Sequence, residues 1–191
     1  MISVPLLLVF CLFGTAVSQN LCDSPADLGT ACPDGTTKSS IRFYFDTDMR
    51  RCLPFKYSGC GGNENNFEER QQCHQRCTPL DHLFCPANTP PLNNTFGGKD
   101  CGQNSGDVQC ADLTTSFCHM GPNGAGMCCS LDAQKKVHQD RELTCPNGKK
   151  KYSVFHGQKD RVVIGKTCDH QFCPDGYECQ RGNFYAFCCA K

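Results

Sequence analysis

Cysteine sets the terms on which this chain can fold. The stretch CLPFKYSGCGGNENNFEERQQCHQRC, Cys52 to Cys77, carries four cysteines, and Cys22 and Cys32 stand upstream of it. Twelve more follow: Cys85, Cys101, Cys110, Cys118, Cys128, Cys129, Cys145, Cys168, Cys173, Cys179, Cys188 and Cys189. The nineteenth, Cys11, lies in an apolar block, VPLLLVFCLFG, with Ala16-Val17-Ser18 behind it. That arrangement reads as a secretory signal peptide over residues 1–18, cut ahead of Gln19. Its removal leaves an even 18 cysteines in an exported chain, which implies disulfides and small stapled domains in place of one large core. Zinc is excluded by spacing: no C-x-x-C occurs, and the adjacent pairs Cys128-Cys129 and Cys188-Cys189 suit separate bridges better than one tetrahedral ion. No metal and no cofactor is therefore expected. With 19 basic and 19 acidic residues, nothing global points to nucleic acid. Beyond the leader no stretch approaches the roughly 18 to 20 apolar residues of a membrane span.

Local patterns divide the mature chain. Ile41-Arg42-Phe43-Tyr44-Phe45-Asp46 and Cys52 to Tyr57 read as two strands joined by the polar turn Thr47-Asp48-Met49-Arg50. The pair Asp46-x-Asp48 belongs to that turn, since the other ligands of a calcium loop are missing. Phe67 to Cys77 reads as a short helix, rich in Glu, Gln and Arg. Between them, Gly59, Gly61, Gly62 and Asn63, Asn65, Asn66 allow positive φ and side-chain bonds to the backbone. A hairpin and helix of this size need staples to be stable.

Phe55, Tyr57, Gly59, Cys60, Gly62, Asn63, Asn65 and Phe67 spell F-x-Y-x-G-C-x-G-N-x-N-x-F. This string, with its six cysteines, resembles the Kunitz family, the pancreatic trypsin inhibitor type, over residues 19–78. The last four cysteines keep the family spacing; one residue is added before Cys32 and four more between Cys32 and Cys52. The resemblance implies bridges Cys22–Cys77, Cys32–Cys60 and Cys52–Cys73, a choice among fifteen that spacing alone does not make. The implied fold class is a small disulfide-rich α+β Kunitz domain, hairpin plus C-terminal helix.

After Thr78-Pro79 the composition shifts. Ala87 to Leu92 is an extended, proline-stiffened stretch, and Asn93-Asn94-Thr95 is an N-glycosylation acceptor at Asn93. From Cys85 the cysteines repeat: each copy opens with Cys-Pro and closes with an adjacent pair, over residues 79–130 and 145–191. The second copy holds Cys173-Pro174-Asp175-Gly176-Tyr177-Glu178-Cys179, with a tight Pro-Asp-Gly turn. These copies resemble lustrin-type cysteine-rich repeats, small hairpin-like modules whose internal pairing spacing leaves open. Residues 131–144, charged and cysteine-free, read as a linker or a short exposed helix. Lys149, Lys150, Lys151, Lys159, Arg161 and Lys166 make the second copy locally basic, either a solvated face or a patch for a heparin-like polyanion.

Kunitz inhibitors present a rigid, extended, substrate-like loop to a serine protease, and preorganisation supplies the affinity. The family position for the residue entering the protease's specificity pocket, just after the second cysteine, is Pro33, followed by Asp34. Pro33-Asp34-Gly35 favours a β-turn, whereas Lys38-Ser39 offers a basic residue followed by a small one inside the lengthened loop. The candidate reactive loop is thus Cys32, Pro33, Asp34, Lys38 and Ser39. No G-x-S-x-G or H-E-x-x-H occurs, and His74, His82, His119, His138, His156 and His170 are scattered and read as exposed, so the chain is expected not to be an enzyme. Two functions follow: a secreted serine-protease inhibitor with an atypical loop, or a non-inhibitory extracellular protein that uses the stapled domain as a scaffold, with matrix as partner. Channel blockade rests on family breadth alone.

Overall fold

The computed structural model describes residues 21–35, 37–78, 83–121 and 124–191. The segment read as a signal peptide lies outside the described residues, as do Thr36, His82 and the first residues after the helix. The first domain holds β1 (Thr30–Ala31), β2 (Ser40–Asp46), β3 (Arg51–Tyr57), β4 (Gly59–Cys60) and α1 (Arg70–Cys77). The hairpin forms as its sequence dictates, with Ser40 opposite Tyr57 through to Asp46 opposite Arg51. Alternation along the strands sends Phe43 and Phe45 to one face, against Cys22, Cys52, Phe67 and Cys73, and Tyr44, Leu53 and Phe55 to the other. At the turn Asp46 accepts from the Met49 N–H at 2.8 Å and the Tyr44 hydroxyl at 2.9 Å, the hairpin chemistry expected of it.

Helix α1 is shorter than the expected Phe67–Cys77. Phe67 exchanges two 2.8 Å backbone bonds with Phe43, which holds it extended, so the helix begins only after Glu69, whose side chain forms a capping box with Gln72. All three implied bridges are present. The outermost spans a separation of 55 and, by constraining the unfolded chain, contributes about 4 kcal/mol. In the Gly/Asn run the labour is divided: Gly59, Gly61 and Gly62 take the positive φ values, and none of the asparagines does. Asn65, fully buried, accepts from the Phe45 N–H at 2.8 Å and donates to the carbonyls of Ser24 and Phe45 at 2.6 and 2.9 Å. It sews the N-terminal segment to the hairpin.

The two copies fold on one plan. The first has β5 (Asp100–Cys101), β6 (Ser116–Met120) and β7 (Gly126–Ser130), ordered β5-β7-β6; the second has β10 (Ile164–Gly165), β11 (Tyr177–Arg181) and β12 (Ala186–Ala190), ordered β10-β12-β11. In each, the first cysteine bridges the sixth, the second the fourth and the third the fifth: Cys85–Cys129, Cys101–Cys118, Cys110–Cys128, and Cys145–Cys189, Cys168–Cys179, Cys173–Cys188. The adjacent pair can serve two bridges because neighbouring strand residues point to opposite faces. The second copy adds a hairpin, β8 (Ser153–His156) and β9 (Lys159–Val162). Its Pro174-Asp175-Gly176 turn closes as expected, Tyr177 N–H to Pro174 carbonyl at 3.2 Å. At the start of the first copy, the stretch expected to be extended begins with a short 3-10 turn, Pro86–Asn88, in which Ala87 and Asn88 take φ near +53° and +55°.

The segment read as a linker or exposed helix is neither a spacer nor fully exposed. It forms α2 (Leu131–Asp140), capped by the Ser130 side chain on the Ala133 N–H, with Ala133, Val137 and Asp140 buried along one side. Its far end is locked into the second copy. The Asp140 carboxylate accepts from the N–H groups of Asn183, Phe184 and Tyr185 at 2.7, 2.8 and 3.0 Å. Lys151, 2% exposed, donates to the last carbonyls of the helix, Gln139 and Asp140, at 3.0 and 3.2 Å.

Val137 then joins Ile164 and Tyr185 of the second copy against Tyr44, Leu53 and Phe55 of the hairpin, making the largest core of the molecule a shared one. Polar ties flank it. Lys166 bridges Asp46 at 3.0 Å and Asp48 at 3.1 Å, and Asn88 donates to the Asp48 carbonyl at 2.8 Å. His170, read as exposed, packs edge-on against Tyr44 with ring centroids 5.3 Å apart, and that burial pushes its pKa down.

Candidate functional site

The candidate loop is bracketed by two fixed points. Upstream, β1 pairs with β4, Thr30 opposite Cys60, and the Cys32–Cys60 bridge ties the strand ends together. Gly29, at φ +63°, is what lets the backbone in so close: a Cβ there would lie 2.3 Å from the Cys60 carbonyl oxygen. Downstream, Ser40 pairs with Tyr57, and Arg42 is held three ways: Nε to the Ser40 hydroxyl at 3.2 Å, Nη1 to Glu68 at 3.0 Å, and its guanidinium 5.8 Å from the Tyr57 ring centroid. Arg42 is thus a strut of the frame and is not offered to a partner.

Between these points, Cys32, Pro33, Asp34 and Gly35 close a turn, with the Gly35 N–H donating to the Cys32 carbonyl at 3.0 Å. Pro33 and Asp34 take its two central positions, so the Pro33–Asp34 bond lies on curved backbone, as their side-chain chemistry predicts. Lys38 and Ser39 stand apart from this turn, exposed, on chain that has left the bend at Thr37 and enters β2 at Ser40. A Cβ built on Gly59 would lie 3.1 Å from the Thr37 carbonyl oxygen and 3.2 Å from Cys32 Sγ. Thr37 therefore rests over Gly59 beside the Cys32–Cys60 bridge and braces the backbone just ahead of Lys38. Nothing in the sequence marks Thr37 for this position; the one hint is the glycine at position 59, where φ is +121° and a side chain would fill the space Thr37 uses.

The glycosylation candidate Asn93 is exposed, with its carbonyl fixed by the Ala111 N–H at 3.1 Å and its side chain met by Lys99. Its neighbour Asn94 is buried and bonds to Phe96 and Gly98, so the acceptor sits on a held loop. Cys101, Cys110 and Cys128 cluster within 4.8 Å as metal ligands might, but each sulfur is engaged in a disulfide. Of the six cations on the second copy that read as a solvated face or a patch, three have partners. Lys151 is buried as a helix cap, Lys166 pairs with Asp46 and Asp48, and Lys150 pairs with Asp160 at 3.4 Å. No described helix is long and apolar enough to cross a membrane.

Comparison with known proteins gives the family. The Kunitz/bovine pancreatic trypsin inhibitor domain profile matches residues 21–78. A BPTI/Kunitz inhibitor domain-containing protein of Caenorhabditis elegans is 33% identical over 172 residues, 90% of each chain. The major allergen Ani s 1 of Anisakis simplex is 32% identical over 177 residues, 88% of this chain and 86% of its own. Among solved structures, conkunitzin-S1, a Kunitz-fold cone snail neurotoxin, is 42% identical, covering 31% of this chain and 96% of its own with a TM-score of 0.27. The nematode relatives run through the Kunitz domain and both cysteine-rich copies, and on that likeness this chain belongs to the Kunitz/bovine pancreatic trypsin inhibitor domain family.

Proposed function

We propose that the protein is a secreted, non-enzymatic inhibitor of a trypsin-like serine protease that offers Lys38 as its substrate-like anchor. The observation that carries this reading is Thr37 braced over Gly59 beside the Cys32–Cys60 bridge, with the Lys38–Ser39 bond exposed on the chain leading into β2. A protease binds extended backbone, and a loop already fixed at both ends loses little freedom on binding. Lys38 would enter the specificity pocket and Ser39 would follow it, while Pro33 and Asp34 shape the turn. The two later copies, which we assign to the lustrin-type repeats, and a glycan on Asn93 fit an extracellular setting, as does the disulfide content.

The closed Cys32–Gly35 turn favours a second reading, in which the domain is a scaffold for extracellular contacts and inhibits nothing. One experiment separates them. The purified chain is titrated against trypsin-, chymotrypsin- and elastase-like proteases. Stoichiometric trypsin inhibition that Lys38→Ala abolishes and Pro33→Ala leaves intact supports the inhibitor; absence of inhibition across the panel establishes the scaffold reading.

A further inference from the structure

Lys150, Lys151 and Lys166, three of the six cations that the sequence groups on the second copy, are taken up by partners, and a different set meets where the domains join. A recess of about 420 Å³ opens between the hairpin turn, the start of the first copy, α2 and Tyr185. Its walls are apolar, Phe84 and Val137 among them, and Arg51, Arg141, His119 and His138 stand around it; none of its described lining residues is acidic. Arg51 and Arg141 have no ion-pair partner among the described residues, in contrast to Arg42, Lys136, Lys150, Lys166 and Arg181. The acids around it are engaged elsewhere: Asp46, opposite Arg51 across the hairpin, pairs with Lys166 at 3.0 Å, Asp140 accepts from the N–H groups of residues 183–185, and Glu142 lies 3.7 Å from His138.

The positive charge continues past the recess. Arg51 precedes Cys52, whose bridge to Cys73 draws α1 alongside, and Arg70 opens that helix one turn before Cys73. Arg70, exposed and likewise without an ion pair among the described residues, faces like charge from Arg51 and Arg161. Beside them sits Tyr185, 2% exposed, with a hydroxyl that finds no hydrogen-bond partner among the described residues and the Arg141 guanidinium 6.0 Å from its ring centroid. Guanidinium groups left unpaired side by side repel one another, so an arrangement of this kind gains most from an anion that several of them share.

The geometry points to a binding site for a sulfated polysaccharide at the joint between the Kunitz domain and the second copy, with Arg51 and Arg141 gripping sulfate at the recess and Arg70 extending the track. Sulfate suits the forked donors of arginine, and a polymer with repeated charges matches cations contributed by β3, α1 and the end of α2. The site exists only when the domains are docked, because Arg51 and Arg141 are brought together by the shared core.

The test is calorimetric titration of the full disulfide-bonded chain with a size-defined, fully sulfated heparin oligosaccharide, beside the same oligosaccharide after desulfation. We expect saturable binding that weakens with added salt and a much weaker response to the desulfated form. Arg51→Gln with Arg141→Gln should lower the affinity at least about tenfold and Arg70→Gln about threefold, as loss of charge-assisted bonds implies. Lys149→Gln with Lys159→Gln should change it less than about twofold. Failure of the parent chain to bind, equal binding of the desulfated form, an unchanged affinity in the double arginine variant, or a loss carried by the lysine variant would each overturn the assignment. Should the double variant not yield a fully bridged chain, Arg70→Gln, at an exposed helix start, becomes the deciding measurement, and an unchanged affinity there is again fatal.

Discussion

Replacing Asp140 by alanine should loosen the turn between β11 and β12 while leaving every disulfide intact. Asp140 is 1% exposed, and its carboxylate is the partner of three consecutive backbone N–H groups, Asn183, Phe184 and Tyr185, together with the Asn183 side chain at 3.1 Å. Alanine leaves those donors facing a void. A buried donor without a partner costs about 1 to 3 kcal/mol. Counting the N–H groups of Phe184 and Tyr185 alone at about 1.5 kcal/mol each, because Asn183 is exposed and its own donors can turn to water, gives a loss of about 3 kcal/mol. At about 1.4 kcal/mol per factor of ten, amide hydrogen exchange at residues 183–185 should accelerate roughly a hundredfold. The bridges Cys145–Cys189 and Cys173–Cys188 keep the copy closed, so the effect should be confined to this turn and the end of α2. Asp140→Asn, which keeps one accepting oxygen, should fall between the two. Native-state exchange read by mass spectrometry decides the matter: protection at 183–185 that is unchanged in Asp140→Ala would refute the reasoning, since the carboxylate would then not be what satisfies these groups. Gly182→Ala is an independent check, because its Cβ would meet Asp140 Oδ1 at 2.2 Å and should disturb the same amides.

Further outcomes are expected. Alkylation without reduction should leave the 18 cysteines beyond residue 18 unlabelled, and peptide mapping should return the same first-to-sixth, second-to-fourth, third-to-fifth pairing in both copies. A fragment covering residues 19–78 should form its three bridges, yet bind a hydrophobic dye and melt below the full chain, because Leu53 and Phe55, both 0% exposed, lose cover worth up to about 1.5 to 3 kcal/mol each. Pro33→Lys alone should not create a trypsin inhibitor, since the new lysine would sit on the closed Cys32–Gly35 turn; tight inhibition by that variant would mean the turn opens readily. Stability should fall as pH rises above about 10, the ordinary tyrosine pKa. Tyr44 has its pKa raised by burial and then by Asp46, and Tyr185 by burial, so the unfolded chain ionises first and gains the advantage. Thermal melts of Tyr44→Phe against the parent across that range should show a smaller alkaline loss in the variant.

How much of this was legible beforehand depends on the range over which each interaction acts. The Kunitz hairpin and its turn follow from residues near in sequence, aromatic alternation across β2 and Asp46 beside its own turn, while the three bridges, one of them spanning a separation of 55, were implied by the resemblance of the cysteine string. The Cys32–Gly35 turn was written in Pro33-Asp34-Gly35 for the same reason, because a β-turn is closed within four residues. The repeat could be counted from its cysteines, but its pairing could not, since fifteen connectivities satisfy six cysteines equally until strands are laid side by side.

What the tertiary structure alone decided is how the modules use one another. Tyr44, Leu53 and Phe55 read as one face of a small hairpin, and nothing local says that Val137, Ile164 and Tyr185 will cover it. Residues 131–144 look polar enough for a linker because Asp140 counts as charged in any composition, as does Lys151 in the second copy, yet both are buried where backbone groups of the turn and the helix end receive them. Lys166 read as part of a basic patch until it met Asp46 from across the chain. Charge in a sequence is a property of residues, whereas a charged surface is what remains after long-range partners have been taken up, and only the folded chain shows which cations those are.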